Sequence, residues 1–400
     1  MSGFSSRTPA HVRAAPTHSD PYPYYEELAQ RGLFRDEAQG VWVAASAEAV
    51  AAVFDNPQCF TRPLEQPVPE AMRGTSVADI FARLVRMRDG AGHAQLKRAL
   101  RQAVQSLDLR DIERVARTQA DQLIAAIKPR QDGARLTQFL SALSSRSVAT
   151  LLGVPPTQLQ DLERWIGEYG AAAAAAVTGA PAVTDTLMAT GAAASRAICE
   201  LFSGLVAAGA DTLSTRFARA AREAGVTDRA EVVANAAGVL IQGQGAIAAL
   251  MGLMLLRLSR QPALRAEISG RTEMLAEFTQ EVLRHDPGTQ STLRFVARDG
   301  AVAGQQMRAG DCIIVSIAAA NRDPALNPDP MRFNACRPAR RHFEFGRGAH
   351  ACPGQAMALT IAQTGIAALL AAGLSIENLE RAVSYRPSSH IRIPAFAAAG

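Results

Sequence analysis

Lysine is almost missing from this chain: of its 42 basic residues only Lys97 and Lys128 are not arginine. A net charge of +5 over 400 residues is too small an excess to point to nucleic acid, although it leaves room for a local basic face that meets an acidic protein. Paired cysteines are missing too. Cys59, Cys199, Cys312, Cys336 and Cys352 are scattered, odd in number and form no CxxC, which argues against a zinc site or a disulfide framework and fits a reducing, cytoplasmic compartment. Met1 to Asp20 contains no apolar run, so neither a signal peptide nor a membrane anchor is expected there. The one long apolar stretch, Val232 to Leu258, is broken by Asn235, Gln242, Gln244 and several glycines, and reads as a buried core helix rather than a membrane span. Aromatic residues are sparse at 5% while alanine abounds, and alanine is the best helix former. No internal repeat or domain linker is visible.

What is present is helical periodicity from about Ser46 to His285, punctuated by Pro and Gly breaks. A short helix is expected at Tyr24–Arg31 and a strand at Gly40–Ala45. After Pro287 strand-like runs take over at Leu293–Ala297 and Cys312–Ile317. A long irregular stretch follows from Asn321 to Gly348, then a last helix from Pro353 to Leu370 and a strand pair around Ser384–Pro394. The expectation is a mainly α fold with a small β-rich region: residues 1–20 a flexible arm, residues 21–400 one domain.

The strongest local signal is Phe345-Gly346-Arg347-Gly348-Ala349-His350-Ala351-Cys352-Pro353-Gly354. Two glycines shape a tight bend before a cysteine, and a helix starts after it. A thiolate at a helix N-terminus is favoured by the dipole and by free N–H groups, and Pro353 suits the first helical position. A lone cysteine is usually a buried structural one, but the whole FGxGxHxCxG spacing is hard to reach by chance.

This segment resembles the haem-binding loop of the cytochromes P-450, and other motifs follow in that family's order from about Pro21 to Pro394. Glu281-Val282-Leu283-Arg284 resembles the ExxR helix, whose Glu and Arg lie on one face. The resemblance implies that Glu281 and Arg284 pair with Arg337 to brace the core behind the haem. It further implies the triangular-prism fold of the family and haem b ligated by Cys352, with Phe345, Gly346 and Gly354 shaping the loop. His93, Lys97, Arg294 and His350 are then the propionate partners. Lys97 stands where the family's HxxxR pattern has Arg, which keeps the charge but loses the bidentate fork.

One departure carries the most information. The family's long central helix has an acid–alcohol pair that delivers protons to the dioxygen being cleaved. Here the matching run is Gln242-Gly243-Gln244-Gly245-Ala246, with Gly245 and Ala246 at the two positions. Protons must then come from the substrate or from water ordered by Gln242 or Gln244, unless the chemistry is peroxide-driven or redox-neutral; Gly245-Ala246 also make room for a bulky substrate. By analogy the substrate pocket includes Thr289, Gln290, Ser291 and Thr292, and Ser389 and His390 in the last hairpin. The stretch from Thr75 to Met87 would cap it, and Gly170 to Ala193 would form mobile lid helices.

The resemblance thus implies a monooxygenase of secondary metabolism acting on a small molecule, free or carrier-bound. It would use dioxygen and electrons from ferredoxin and ferredoxin reductase, with Arg98, Arg101 and Arg347 as candidate contacts. A peroxygenase or dehydratase, and a non-catalytic haem sensor, remain open at this level.

Overall fold

We describe the chain from a computed structural model that covers residues 8–179, 183–377 and 379–397. Helix α1 (Tyr22–Ala29) leads into strands β1 (Leu33–Asp36) and β2 (Val41–Ala44), then α2 (Ala47–Asp55) and β3 (Cys59–Phe60). The helical body follows as α3 (Ser76–Phe81), α4 (Gly90–Gln105), α5 (Leu109–Ile127), α6 (Gly133–Leu151), α7 (Leu159–Thr178), α8 (Asp185–Ala207), α9 (Leu213–Glu223), α10 (Arg229–Arg260), α11 (Pro262–Gly270) and α12 (Leu275–His285). Next come β4 (Ser291–Val296), β5 (Gly300–Val302), β6 (Gln305–Met307), β7 (Cys312–Ser316) and α13 (Ile317–Ala320), and last α14 (Gln355–Ala371), β8 (Val383–Tyr385) and β9 (Pro394–Phe396).

The helices start where the chain offers a side-chain cap. Ser46, Asp108, Asp132, Thr184, Thr212 and Asp228 each accept a bond from a first-turn N–H, which satisfies donors the helix itself leaves open. The five-stranded sheet runs β1-β2-β7-β4-β3. It is antiparallel except for the β2–β7 pair, and β4–β7 sets Arg294 opposite Ile313. Because side chains alternate along a strand, Thr292 shares its face of β4 with Arg294, while Ser291 shares the other with Leu293.

Helix α10 is long and apolar enough by composition to cross a membrane. It instead runs through the helical body, packed by α6, α8 and α14, with its apolar positions buried on both sides of residues 241–246. Burial of that many Leu, Met and Ile side chains at roughly 25 cal/mol per Å² is the main stabilising term in the body.

The N-terminal arm departs from expectation. Val12–Thr17 is a 3-10 helix with Val12, Ala15 and Pro16 buried. Arg392, fully buried, donates to the carbonyls of Pro16, His18 and Ser19. Residues 12–19 are therefore fastened to the last strand region rather than loose; residues 1–7 lie outside the described residues. Helices α7 and α8 are also closely packed, the Cβ position of Gly191 lying 2.4 Å from Ala172 Cβ.

Candidate functional site

The cysteine loop owes its path to its glycines. Gly346 and Gly348 have φ of 65° and 67°, a region that L side chains rarely adopt, and a Cβ on Gly348 would meet the Phe54 carbonyl at 3.2 Å. The bend closes with Gly346 N–H on the Phe343 carbonyl and Cys352 N–H on the Phe345 carbonyl, both at 2.8 Å. Pro353 precedes α14 by two residues, with Gly354 as its N-cap, so the helix starts two residues later than Pro353 at the first position would give. Cys352 retains an accessible surface, yet surrounding protein desolvates the thiol and pushes its pKa up, opposed by the Gly354 N–H and the Lys97 charge. Accessible surface on a desolvated group marks the wall of an interior cleft rather than the outer surface.

The anchors expected from the sequence gather beside this loop. His93 and Lys97 are buried on α4. The rings of His93 and His350 stack at 4.2 Å, and His350 Nε2 lies 2.9 Å from Asp89 Oδ1. Arg294, also buried, donates to the Leu293 carbonyl and lies over the Phe54 ring. Burial lowers the pKa of Lys97 to about 8, of His93 to about 4 and of Arg294 to about 10. The buried Nε2 of His93 has no partner among the described residues, and no hydrogen bond or ion pair reaches Lys97 there. Buried polar groups left this way call for a ligand. Two cations, an orphaned imidazole nitrogen and an accessible cysteine fit a haem with its two propionates.

Behind the loop stands the brace. Glu281 holds Arg284 with both oxygens, at 2.7 and 2.9 Å, the pair fully buried. Arg337 reaches Glu281 at 3.4 Å, as the resemblance implies. Arg340 reaches it at 3.5 Å, a third arginine that no motif announced. Arg284 also donates to the Pro330 and Arg332 carbonyls, which ties the irregular stretch to α12.

On α10 the two glutamines are not brought together. Gln242 turns its amide back onto the Gly238 carbonyl at 2.9 Å. Gln244 faces Ser145, Arg146 and Glu163 between α6 and α7. Two residues apart on a helix is about 200° around the axis, so a shared water-holding role is not built. A Cβ at Gly245 would meet nothing within 4 Å, so that position faces open space. Ala246, half-exposed, offers only its carbonyl.

The pocket positions after α12 separate in the same way. Gln290 is fully buried and takes a hydrogen bond from Tyr25 at 2.5 Å, so its side chain belongs to the N-terminal packing and not to the pocket. Ser291 bonds His390 Nδ1 at 2.9 Å and the Ser389 carbonyl at 3.4 Å, which makes those three one polar lock. Burial lowers His390 to about 4, so it is neutral. Thr292 and Thr289 remain half-exposed, Thr292 on the face of Arg294. A hollow of about 540 Å³ between α8, α9 and α10, lined by Asp211, Arg219, Arg222 and Arg229 among others, contains none of the site residues.

Besides Arg340, two side chains were missed by the sequence reading. Glu344, next to Phe345, accepts from the Thr289 N–H with both oxygens at 3.0 and 3.1 Å; burial pushes it up to about 8, so it is protonated near neutrality. Arg86, in the turn Val85–Met87, is close enough to Cys352 to feel its charge. Both act on partners far away in sequence, so no local signal could flag them.

The family model described as cytochrome P450 matches residues 223–372. Putative cytochrome P450 140 of Mycobacterium tuberculosis is 37% identical over 140 residues, 35% of this chain and 32% of the relative; that match spans about a third of the relative's length. Cytochrome P450 144 of Mycobacterium tuberculosis is 27% identical over 354 residues, 85% of this chain and 79% of the relative. Among solved structures, P450BioI in complex with an acyl carrier protein ligated to hexadec-9Z-enoic acid matches with a TM-score of 0.79 at 19% identity, over 95% of this chain and 97% of that one.

Proposed function

This chain belongs to the cytochrome P450 family, and we propose that it is a haem-thiolate monooxygenase that oxidises a small organic metabolite with dioxygen. The observation that carries this reading is the set of buried groups without a partner around an accessible cysteine: His93 Nε2 and Lys97 beside Cys352. Bound through a thiolate, the haem supplies electron-transfer and dioxygen chemistry, with electron density pushed toward O–O cleavage.

The chain's own residues do the rest. Cys352 ligates the iron, and Lys97 and Arg294 neutralise the propionates with His93 and His350 as hydrogen-bonding partners. The Glu281–Arg284–Arg337 brace holds the loop rigid, so the ligand geometry does not depend on surface motion. Gly245 and Ala246 leave room over the site and bring no titratable proton. Proton delivery therefore falls to the substrate or to water held by backbone groups such as the Ala246 carbonyl. Electrons come from a ferredoxin and its reductase in the cytoplasm. Arg98 and Arg101 are exposed three residues apart on α4, and they suit an acidic partner; Arg347 is engaged by Asp55 at 2.8 Å and suits it less. The substrate is a product of secondary metabolism; a carrier-tethered one is suggested by the P450BioI complex, which contains an acyl carrier protein.

Carbon monoxide tests the foundation. The reduced wild type should show the strongly red-shifted Soret band of thiolate-ligated iron, and Cys352→Ser should lose it. A variant that keeps the band has its iron on another ligand. A second reading is favoured by the open space at Gly245: a peroxide-driven enzyme, which would turn over its substrate with hydrogen peroxide and no reductase.

A further inference from the structure

Three arginines sit close together on the turn that leads from α3 to α4, and they do not share a fate. Arg83 pairs with Asp79 at 3.3 Å and Asp228 at 3.8 Å. Arg88 pairs with Glu231. Arg86, between them, has no hydrogen bond and no ion pair among the described residues. The outer two point to carboxylates at the start of α10 and on α3, whereas Arg86 points inward. Its pKa is lowered by desolvation, and the groups that feel its charge are Cys352, Tyr169, Lys97, Arg294 and His390. It nonetheless keeps accessible surface. As at Cys352, accessible surface on a desolvated group places it on the wall of the same interior cleft.

The backbone holds it there. Asn235 of α10 accepts from the Val85 N–H at 2.7 Å and donates to the Arg83 carbonyl at 2.6 Å. The Cβ position of Gly238, one turn on, lies 2.7 Å from a Leu84 methyl. The turn that carries Arg86 is thereby clamped across α10 upstream of Gln242, and further along the same helix a Cβ at Gly245 would meet nothing within 4 Å.

A desolvated guanidinium without a counter-ion is expensive and calls for an anion. The haem does not provide a spare one. The macrocycle dianion and the thiolate neutralise a ferric ion, and Lys97 and Arg294 balance the two propionates; Arg86 is left over. We infer that Arg86 anchors the carboxylate of the substrate, and that the site takes a free organic acid whose apolar body lies along Met87, Ile241 and Ala246, all half-exposed. The planar fork of arginine suits bidentate binding of a carboxylate. An acyl group tethered as a thioester offers no carboxylate to it, so the inference selects a free acid from the substrates left open above. It rests on the monooxygenase reading and narrows its substrate class.

Calorimetric titration of the haem-loaded protein with a straight-chain and an aryl carboxylic acid, each beside its methyl ester, decides the matter. The acids should bind roughly thirtyfold or more tightly than the esters. Arg86→Gln and Arg86→Ala should bring the acids down to the level of the esters, and Arg86→Lys should recover part of the gap. Equal binding of acid and ester by the wild type, or an undiminished preference in Arg86→Gln, overturns the inference. So does loss of haem from Arg86→Gln on gel filtration, since the arginine would then be serving a propionate. The carbon monoxide spectrum of the same wild-type preparation tests the haem reading separately, and the acid-to-ester ratio stands whichever way that spectrum turns out.

Discussion

Glu281 shares its two oxygens among Arg284, Arg337 and Arg340 and the Asn334 N–H, with no exposure to solvent. Such a cluster is tolerable because Arg340 also reaches Glu277 and because Arg284 and Arg337 donate their remaining N–H groups to the carbonyls of Pro328, Asp329, Pro330 and Arg332. Glu344 is the opposite case: a buried carboxyl with one N–H partner and no cation, held protonated. Its folded pKa, raised to about 8 from 4.5, means its contribution to stability is fully present below the unfolded value and is lost as pH rises through about 8. Glu344→Gln keeps an acceptor for Thr289 and cannot ionise. Its urea midpoint should therefore gain on that of the wild type between roughly pH 4.5 and pH 8 and hold that gain above it. A constant difference across that range would mean the carboxyl ionises normally.

At the scale of elements, the turn Val85–Met87 is set by one side chain of α10. Asn235 satisfies a buried N–H and a buried carbonyl on the turn and adds a bond to the Glu231 carbonyl. Asn235→Ala leaves the first two open, at about 1–3 kcal/mol for each buried group left unsatisfied. The expected outcome is faster amide exchange at Val85 than at α14 positions, together with a lower urea midpoint. Exchange at Val85 that matches the wild type would show that the turn is held by its apolar contacts alone. Helix α10 itself is built for burial at both ends and for space in the middle, which is how one continuous helix serves as core and as pocket wall.

The whole molecule gathers its site from α4, β4, α10 and the loop before α14, and these are held apart by long stretches of chain. Several histidines lie in this interior: His93, His342 and His390 are each lowered to about 4, and His285 well below its ordinary value, chiefly by burial. The folded chain thus keeps them neutral where the unfolded chain protonates them. Their contribution to stability is in place above about pH 6.5 and is lost as pH falls toward about 4. Glu344 and Cys352, both acids pushed up by burial, work in the other direction. The urea midpoint of the haem-free chain should fall steeply over that interval, and a flat profile would place these rings in contact with water. Haem binding adds to stability by mass action at any pH.

The sequence by itself determined the glycine-shaped cysteine loop, the pairing of Glu281 with Arg284 and the order of elements. FGxGxHxCxG and ExxR are local patterns, and their geometry follows from glycine φ angles and from helix periodicity, both properties of neighbouring residues. Gly245 and Ala246 stood out as a missing pair only against the family that the chain resembles. Only the tertiary structure decided what depends on distant partners. It turned Gln290 to Tyr25 and parted Gln242 from Gln244. It fastened the N-terminal arm through Arg392, and it added Arg340 to the brace. It also left Arg86 without an acid among the described residues while giving two to Arg83 and one to Arg88. The free energy of a buried charge is set by what surrounds it in space, and a one-dimensional pattern carries that only where the neighbours in space are also neighbours in the chain.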